Sequence, residues 1–192
     1  MEKIVLGSGK LYIDEFTGNL PEDEAIEIEA KLLGYIQGGA NLSYKPSFYE
    51  AKDDLGMVSK KKITEEEAIL KTGVMTLSGD TFKKLCSTAR VETDVESKTR
   101  TVKIGGLGNY DGKNYVLRYV YKDAVDGDIR ITIVGVNEAG FELAFAKDKE
   151  TVVNAEFKAQ PQDDEGTLIL YKEEDSTIKA VAEESTIKAE ER

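Results

Sequence analysis

Ala25-Ile26-Glu27-Ile28-Glu29-Ala30-Lys31-Leu32 opens the stretch, Ala25 to Thr76, whose reading decides the fold. Apolar and charged residues change places almost step by step, which is the period of a strand with one dry and one wet face. The run continues through Tyr35-Ile36, meets Gly38-Gly39, and resumes at Leu42 and Tyr44. Near Pro46 the pattern stops. Ser47 to Lys62 reads as a charged, sparsely hydrophobic excursion, and a second extended segment returns from Ile63 to Thr76. Loops beyond about 12–15 residues are uncommon unless they do something. The excursion sets Glu50, Asp53 and Asp54 against Lys52, Lys60, Lys61 and Lys62. Mixed charge of this kind can fix register between copies. The reading is therefore two long strands joined by a loop that serves as a contact arm for a neighbouring subunit. The plainer alternative is a solvated loop.

Composition narrows the function classes. A chain of 192 residues fits one domain, here 1–172, with an acidic appendage at 173–192. The net charge of −11 argues against neutralising DNA or RNA phosphates and against docking on an anionic membrane. No apolar run approaches the length of a membrane-spanning helix, and Met1 to Gly7 lacks the apolar core of a signal peptide. Cys86 is the only cysteine, so no intrachain disulfide is expected; synthesis in a reducing cytoplasm fits, and Cys86 reads as a plain core residue. Histidine is absent, which removes the commonest general base and metal ligand. Asp53-Asp54 and Asp163-Asp164 could act as acid and base or hold a metal, but nothing else converges on them. Gly105-Gly106-Leu107-Gly108-Asn109 completes neither a dinucleotide nor a P-loop fingerprint. No enzyme activity, cofactor or metal is expected.

The remaining elements follow in chain order. Ile4 to Ile13 reads as a strand or a pair of short strands, and Asp14 to Asp23 as a loop. Thr64 to Lys71 could open a helix with Thr64 as its cap, or extend a strand; the β-rich continuation to Leu77 favours the strand. One helix, about 79–90, is expected, with Asp80 capping it and Phe82, Leu85, Cys86 and Ala89 forming one apolar stripe. Glu92 to Arg100 reads as a surface loop and Thr101 to Ile104 as a short strand. A meander follows, with strands at Tyr115–Tyr121, Ile129–Val134, Phe141–Ala146, Val153–Lys158 and Thr167–Tyr171, and an Asp126-Gly127 hairpin turn. The expected fold is mainly β, an antiparallel sandwich or half-barrel with one flanking helix. The tail repeats Ser-Thr-Ile-Lys-Ala at Ser176 and Ser185 and has too few apolar residues to fold alone.

The order of these elements, with Leu11-Tyr12-Ile13, Gly34 to Ala40, Ala68 to Gly73, the Gly105-Gly106 turn and Phe157-Lys158-Ala159, resembles the major tail tube proteins of tailed bacteriophages. The resemblance covers about 1–172 and implies a β-sandwich shared with contractile-tail and type VI secretion tubes. It implies hexameric rings stacked into a hollow tube through which DNA passes without specific binding. Tape measure, tail terminator and distal tail proteins would be partners, and the virion tail the location. The arm would reach an adjacent ring, and Glu27 and Glu29, taken to share one strand face, would be candidates for the lumen wall. The alternatives are the tube of a contractile tail or phage-like bacteriocin, and, from another class, a β-sandwich glycan-binding or adhesion module.

Overall fold

The computed structural model describes residues 9–33, 36–52, 59–74, 78–124, 127–143, 147 and 151–174. The fold is mainly antiparallel β. Its strands are β1 (Lys10–Glu15), β2 (Ile36–Lys52), β3 (Ser59–Val74), β4 (Arg90–Asp94), β5 (Thr99–Lys103), β6 (Tyr115–Tyr121), β7 (Ile129–Asn137), β8 (Val153–Gln160) and β9 (Leu170–Glu173). Its helices are α1 (Asp23–Ile26) and α2 (Gly79–Leu85). The main sheet runs β1-β6-β7-β8-β3-β2, with β9 also on β7, while β4 and β5 form a separate hairpin.

One core covers one face of the sheet. Leu11 and Ile13 of β1 share it with Leu70 and Val74 of β3, although these strands lie far apart in the sheet order. Leu117, Ile133, Ala155 and Phe157 fill the span between them, and Leu85 of α2 packs onto it. β8 shows the alternation plainly: Val153, Ala155, Phe157 and Ala159 point inward and the residues between them outward. β6 is buried on both faces, because Val116 and Val120 meet Ile26 of α1 on the far side of the sheet.

β7 is a fork. Its second edge pairs with β9 from Ile129 to Thr132 and with β8 from Val134 to Asn137. Two strands thus diverge from one.

Several expectations need correction. Ile26 to Leu32 is not a strand. Asp23–Ile26 is a helical turn and Glu29–Lys31 a 3-10 turn, with only an isolated bridge from Leu32 to Tyr12. Ile26 is fully buried while Ile28 is 43% exposed, so the alternating residues do not share a dry face. Ser47 to Lys62 is not a loop. β2 and β3 pair from Ile36↔Val74 out to Lys52↔Ser59, and only 53–58, with Asp53 and Asp54, lies outside the described residues. Pro46 does not end β2, because on an edge strand its missing N–H is not needed by a second neighbour.

The helix is shorter than expected. Ser78, not Asp80, caps α2 by accepting from the Thr81 N–H at 3.1 Å. Cys86 is extended, so Ala89 leaves the helix and Arg90 begins β4. Glu92 to Arg100 belongs to the β4–β5 hairpin rather than to a loop. Phe141 to Leu143 is not strand; Phe141 turns its ring edge-on to Phe82, with centroids 5.2 Å apart. The strand reading of Thr64 to Lys71 agrees with β3.

Candidate functional site

The site is a ribbon. β3 pairs with β8 only from Ile69 to Val74, so Ser59 to Ala68 has β2 as its sole strand partner among the described residues, although Ala68 is still in the core and Ile63 to Glu66 face Ala159, Pro161 and Leu168 across an open groove. At ~3.3 Å per residue this two-stranded segment spans roughly 30 Å. Among the described residues both of its edges are open, and so is the outer edge of β2 within the body. Open edges present unpaired N–H and C=O groups to any strand that approaches. Pro46 divides the β2 edge into two stretches.

The charges expected on the arm lie on this ribbon. Glu50 stands opposite Lys61, Tyr49 opposite Lys62, and Ala51 opposite Lys60. Glu50 and Lys52 pair at 3.4 Å. Lys61 also sits over the ring of Phe48, 4.6 Å from its centroid. A β-bulge between Ser47 and Phe48 in the register leaves Thr64 unpaired, so Phe48 falls opposite Ile63.

Sequence reasoning missed the apolar half of the ribbon. Tyr44, Phe48, Tyr49 and Ile63 are all exposed. Tyr44 and Phe48 continue the row that carries Leu42 into the core, so the dry face of the body runs out along the ribbon into water. The Tyr44 hydroxyl donates to Glu66, and that bond pushes the phenol pKa up. The available signal was Phe48-Tyr49 inside a segment otherwise too polar to have a core.

The other face of β3 and β8 is polar and self-neutralised. Lys71 pairs with Glu156 at 2.7 Å and Lys158 with Glu67 at 3.3 Å.

Glu27 and Glu29 do not share a strand face. The Glu27 carboxylate takes the Arg130 guanidinium at 2.6 Å, and both side chains are only 10% exposed. Arg130 also donates to Asp128 at 3.2 Å and Glu174 at 3.0 Å. Arg118, beside it, donates to Asp23 at 2.6 Å and Thr132 at 3.0 Å, and Lys172 reaches Asp23 at 2.5 Å. This cluster ties α1 and β9 to the β6–β7 hairpin. Burial alone would raise the Asp23 pKa, but the Lys172 hydrogen bond and the fields of Arg118, Lys172 and Arg130 hold it below its ordinary value. Glu29 is exposed and lies in the 3-10 turn.

Other candidate residues have local roles. Asp163 accepts from the Thr167 N–H at 2.9 Å and the Glu165 N–H at 3.1 Å, which closes its turn and lowers its pKa. Cys86 is half-buried, and burial raises its thiol pKa. Gly105 and Gly106 adopt positive φ and lead into one 3-10 turn, Leu107–Asn109, not into a helix that could face a phosphate. Among the described residues no group of acidic or thiol side chains is placed to hold a metal ion, and no helix is long and apolar enough to cross a membrane.

Comparison with protein-family models found no match, and comparison with curated proteins found none either.

Proposed function

We propose that the chain is a structural subunit that assembles with copies of itself into rings and stacked tubes, as the tail tube resemblance implies. The observation that supports this most is the ribbon. Among the described residues it carries two open edges and four exposed apolar side chains, Tyr44, Phe48, Tyr49 and Ile63, on a two-stranded element with no third strand beside it. An isolated hairpin of that kind is marginal in water. Its cost in exposed surface is understandable if a partner covers it. The exposed aromatics lie on a projection rather than in a hollow, which suits a protein partner better than a sugar.

Hexameric closure and the passage of DNA rest on the resemblance. The charge of −11 fits a conduit, since an acidic wall repels a polyanion instead of retaining it. On this reading the protein is synthesised in the bacterial host, resides in the virion tail, and meets tape measure, terminator and distal tail proteins at the tube and its ends.

Negative-stain microscopy of the purified chain tests the proposal. Rings or long tubes are expected. A chain that stays monomeric at high concentration, with its ribbon intact, overturns it.

A further inference from the structure

A cleft beside α2 holds two polar groups that the fold leaves without partners. Its volume is about 400 Å³, and its walls come from β1, the 3-10 turn Glu29–Lys31, α2 and the start of β6. Three carboxylates line it, and each is already engaged. Lys31 holds Asp14 at 2.7 Å, Lys113 holds Glu15, and Arg100 holds Asp80 at 3.2 Å.

Lys84 is the first of the two groups. It stands one helical turn after Asp80, where an (i, i+4) ion pair would ordinarily form, but Arg100 has taken that carboxylate. Among the described residues Lys84 is the one lysine that is neither exposed nor paired. Burial lowers its pKa; the fields of Asp80 and Asp14 oppose this, and that of Lys31 adds to it. An amine that gives up its proton more readily serves as a nucleophile.

Tyr115 is the second. It lines the cleft and is only 7% exposed, yet among the described residues its hydroxyl has no hydrogen bond. Hydroxyls so deeply placed are ordinarily bonded. Burial, then the charges of Asp111 and Glu15, push the phenol pKa up to about 12, so at neutral pH it keeps its proton and can donate. What suits it is an acceptor oxygen.

An amine nucleophile, a phenol donor and the cations Lys31, Lys83 and Lys113 share this one cleft. An acyl phosphate offers something to each: a carbonyl carbon to the amine, a carbonyl oxygen to the phenol and a phosphate to the cations. We infer that the cleft is a site of acyl transfer, in which Lys84 takes the acyl group of a small acyl phosphate. The Lys84 nitrogen bonds the carbonyl carbon. The bond from that carbon to the phosphate oxygen breaks, its electron pair leaves with phosphate, and the amine proton ends on the departing phosphate. The product is a neutral amide, which removes one positive charge from the cleft. All the lining groups belong to one copy, so the site does not depend on assembly.

Timed exposure of the full chain to acetyl phosphate at neutral pH, read lysine by lysine with peptide mass spectrometry, tests this. Lys84 should be acetylated at least about threefold faster than its exposed neighbour Lys83, because a lowered pKa enlarges the unprotonated fraction. Excess inorganic phosphate should slow Lys84 and leave Lys83 unchanged, a comparison that needs no variant. Tyr115→Phe, with circular dichroism confirming the fold, should bring Lys84 down toward the rate of Lys83. Acetic anhydride carries no phosphate and serves as the reference reagent. A preference for Lys84 that phosphate does not reduce, or that only acetic anhydride shows, would overturn the acyl phosphate site and leave a merely reactive amine. Equal rates at Lys83 and Lys84 with both reagents would overturn the amine as well.

Discussion

The β6–β7 hairpin and the β2–β3 ribbon are built from the same antiparallel ladder and end in opposite situations. β6 is dry on both faces, with the main core on one side and Ile26 on the other. Two arginines beneath α1 fasten it to the rest of the chain. Among its described residues beyond Ala68 the ribbon has no fully buried side chain and no buried ion pair, and its cross-strand neighbours include Glu50 and Lys61. Pairs of that kind contribute roughly 0.2–1 kcal/mol each. Backbone pairing is therefore not what separates the two. One ladder is completed inside the chain, and the other, among the described residues, keeps open edges and exposed aromatic side chains.

Substitutions should divide along the same line. The largest effect belongs to the core. Phe157→Ala should destabilise the chain by about 3–5 kcal/mol in denaturant unfolding, because a fully buried ring leaves a cavity. A loss below about 1 kcal/mol would mean that the body is no better packed than the ribbon.

Next comes the ionic cluster. Asp23→Ala strips the closest carboxylate from buried Arg118, with an expected cost of about 3 kcal/mol. The same group sets a pH dependence. Its pKa is lowered on folding, so its contribution is present above the ordinary value of 3.8 and disappears as the pH falls through the folded value. Unfolding curves of the unaltered chain and Asp23→Asn should converge in strong acid and separate near neutrality.

At the alkaline end Tyr115 should act. Burial, then the nearby charges of Asp111 and Glu15, push its pKa up to about 12. The folded state holds the proton longer, so stability is full below the ordinary value of 10.0 and falls between there and about 12. At about 1.4 kcal/mol per pKa unit the loss is about 3 kcal/mol. Tyr115→Phe should lack that part of the alkaline slope.

The smallest effect on the monomer belongs to the ribbon. Phe48→Ala should change unfolding by less than about 0.5 kcal/mol, as an exposed side chain does. Its effect on sedimentation should be large. A variant that melts early but still assembles would reverse the contrast between the two ladders.

The same contrast explains what could be read in the sequence. Period-two alternation is legible where one face is dry, as in β8 and in Ala68 to Val74 of β3. It vanishes where both faces are wet. Glu92 to Arg100 and Ser47 to Lys62 therefore read as loops, although β4, the start of β5 and the described residues of the outer ribbon pair in ladders. Ile26 to Leu32 shows the converse. Its alternation is short, and Asp23 and Glu27 bend the chain into turns to reach Arg118 and Arg130, more than 90 residues away. No local pattern carries that distance. Phe141 was counted as a strand residue because alternation says nothing of a ring drawn aside by Phe82. For the site, the charges Glu50, Lys52, Lys60, Lys61 and Lys62 were visible as an arm. The aromatic residues were not, since on an alternating strand an exposed tyrosine reads the same as a buried one.

The fork at β7 has a mechanical consequence. A pull on the chain beyond Glu174 first loads the four residue pairs of β9 and the carboxylate gripping Arg130. β8, which carries Phe157 and the root of the ribbon, joins β7 on a separate stretch and lies off that load path. β9 can then be drawn off β7 while the β7–β8 ladder and the core beside it hold, so that the short outer strand yields before the body does.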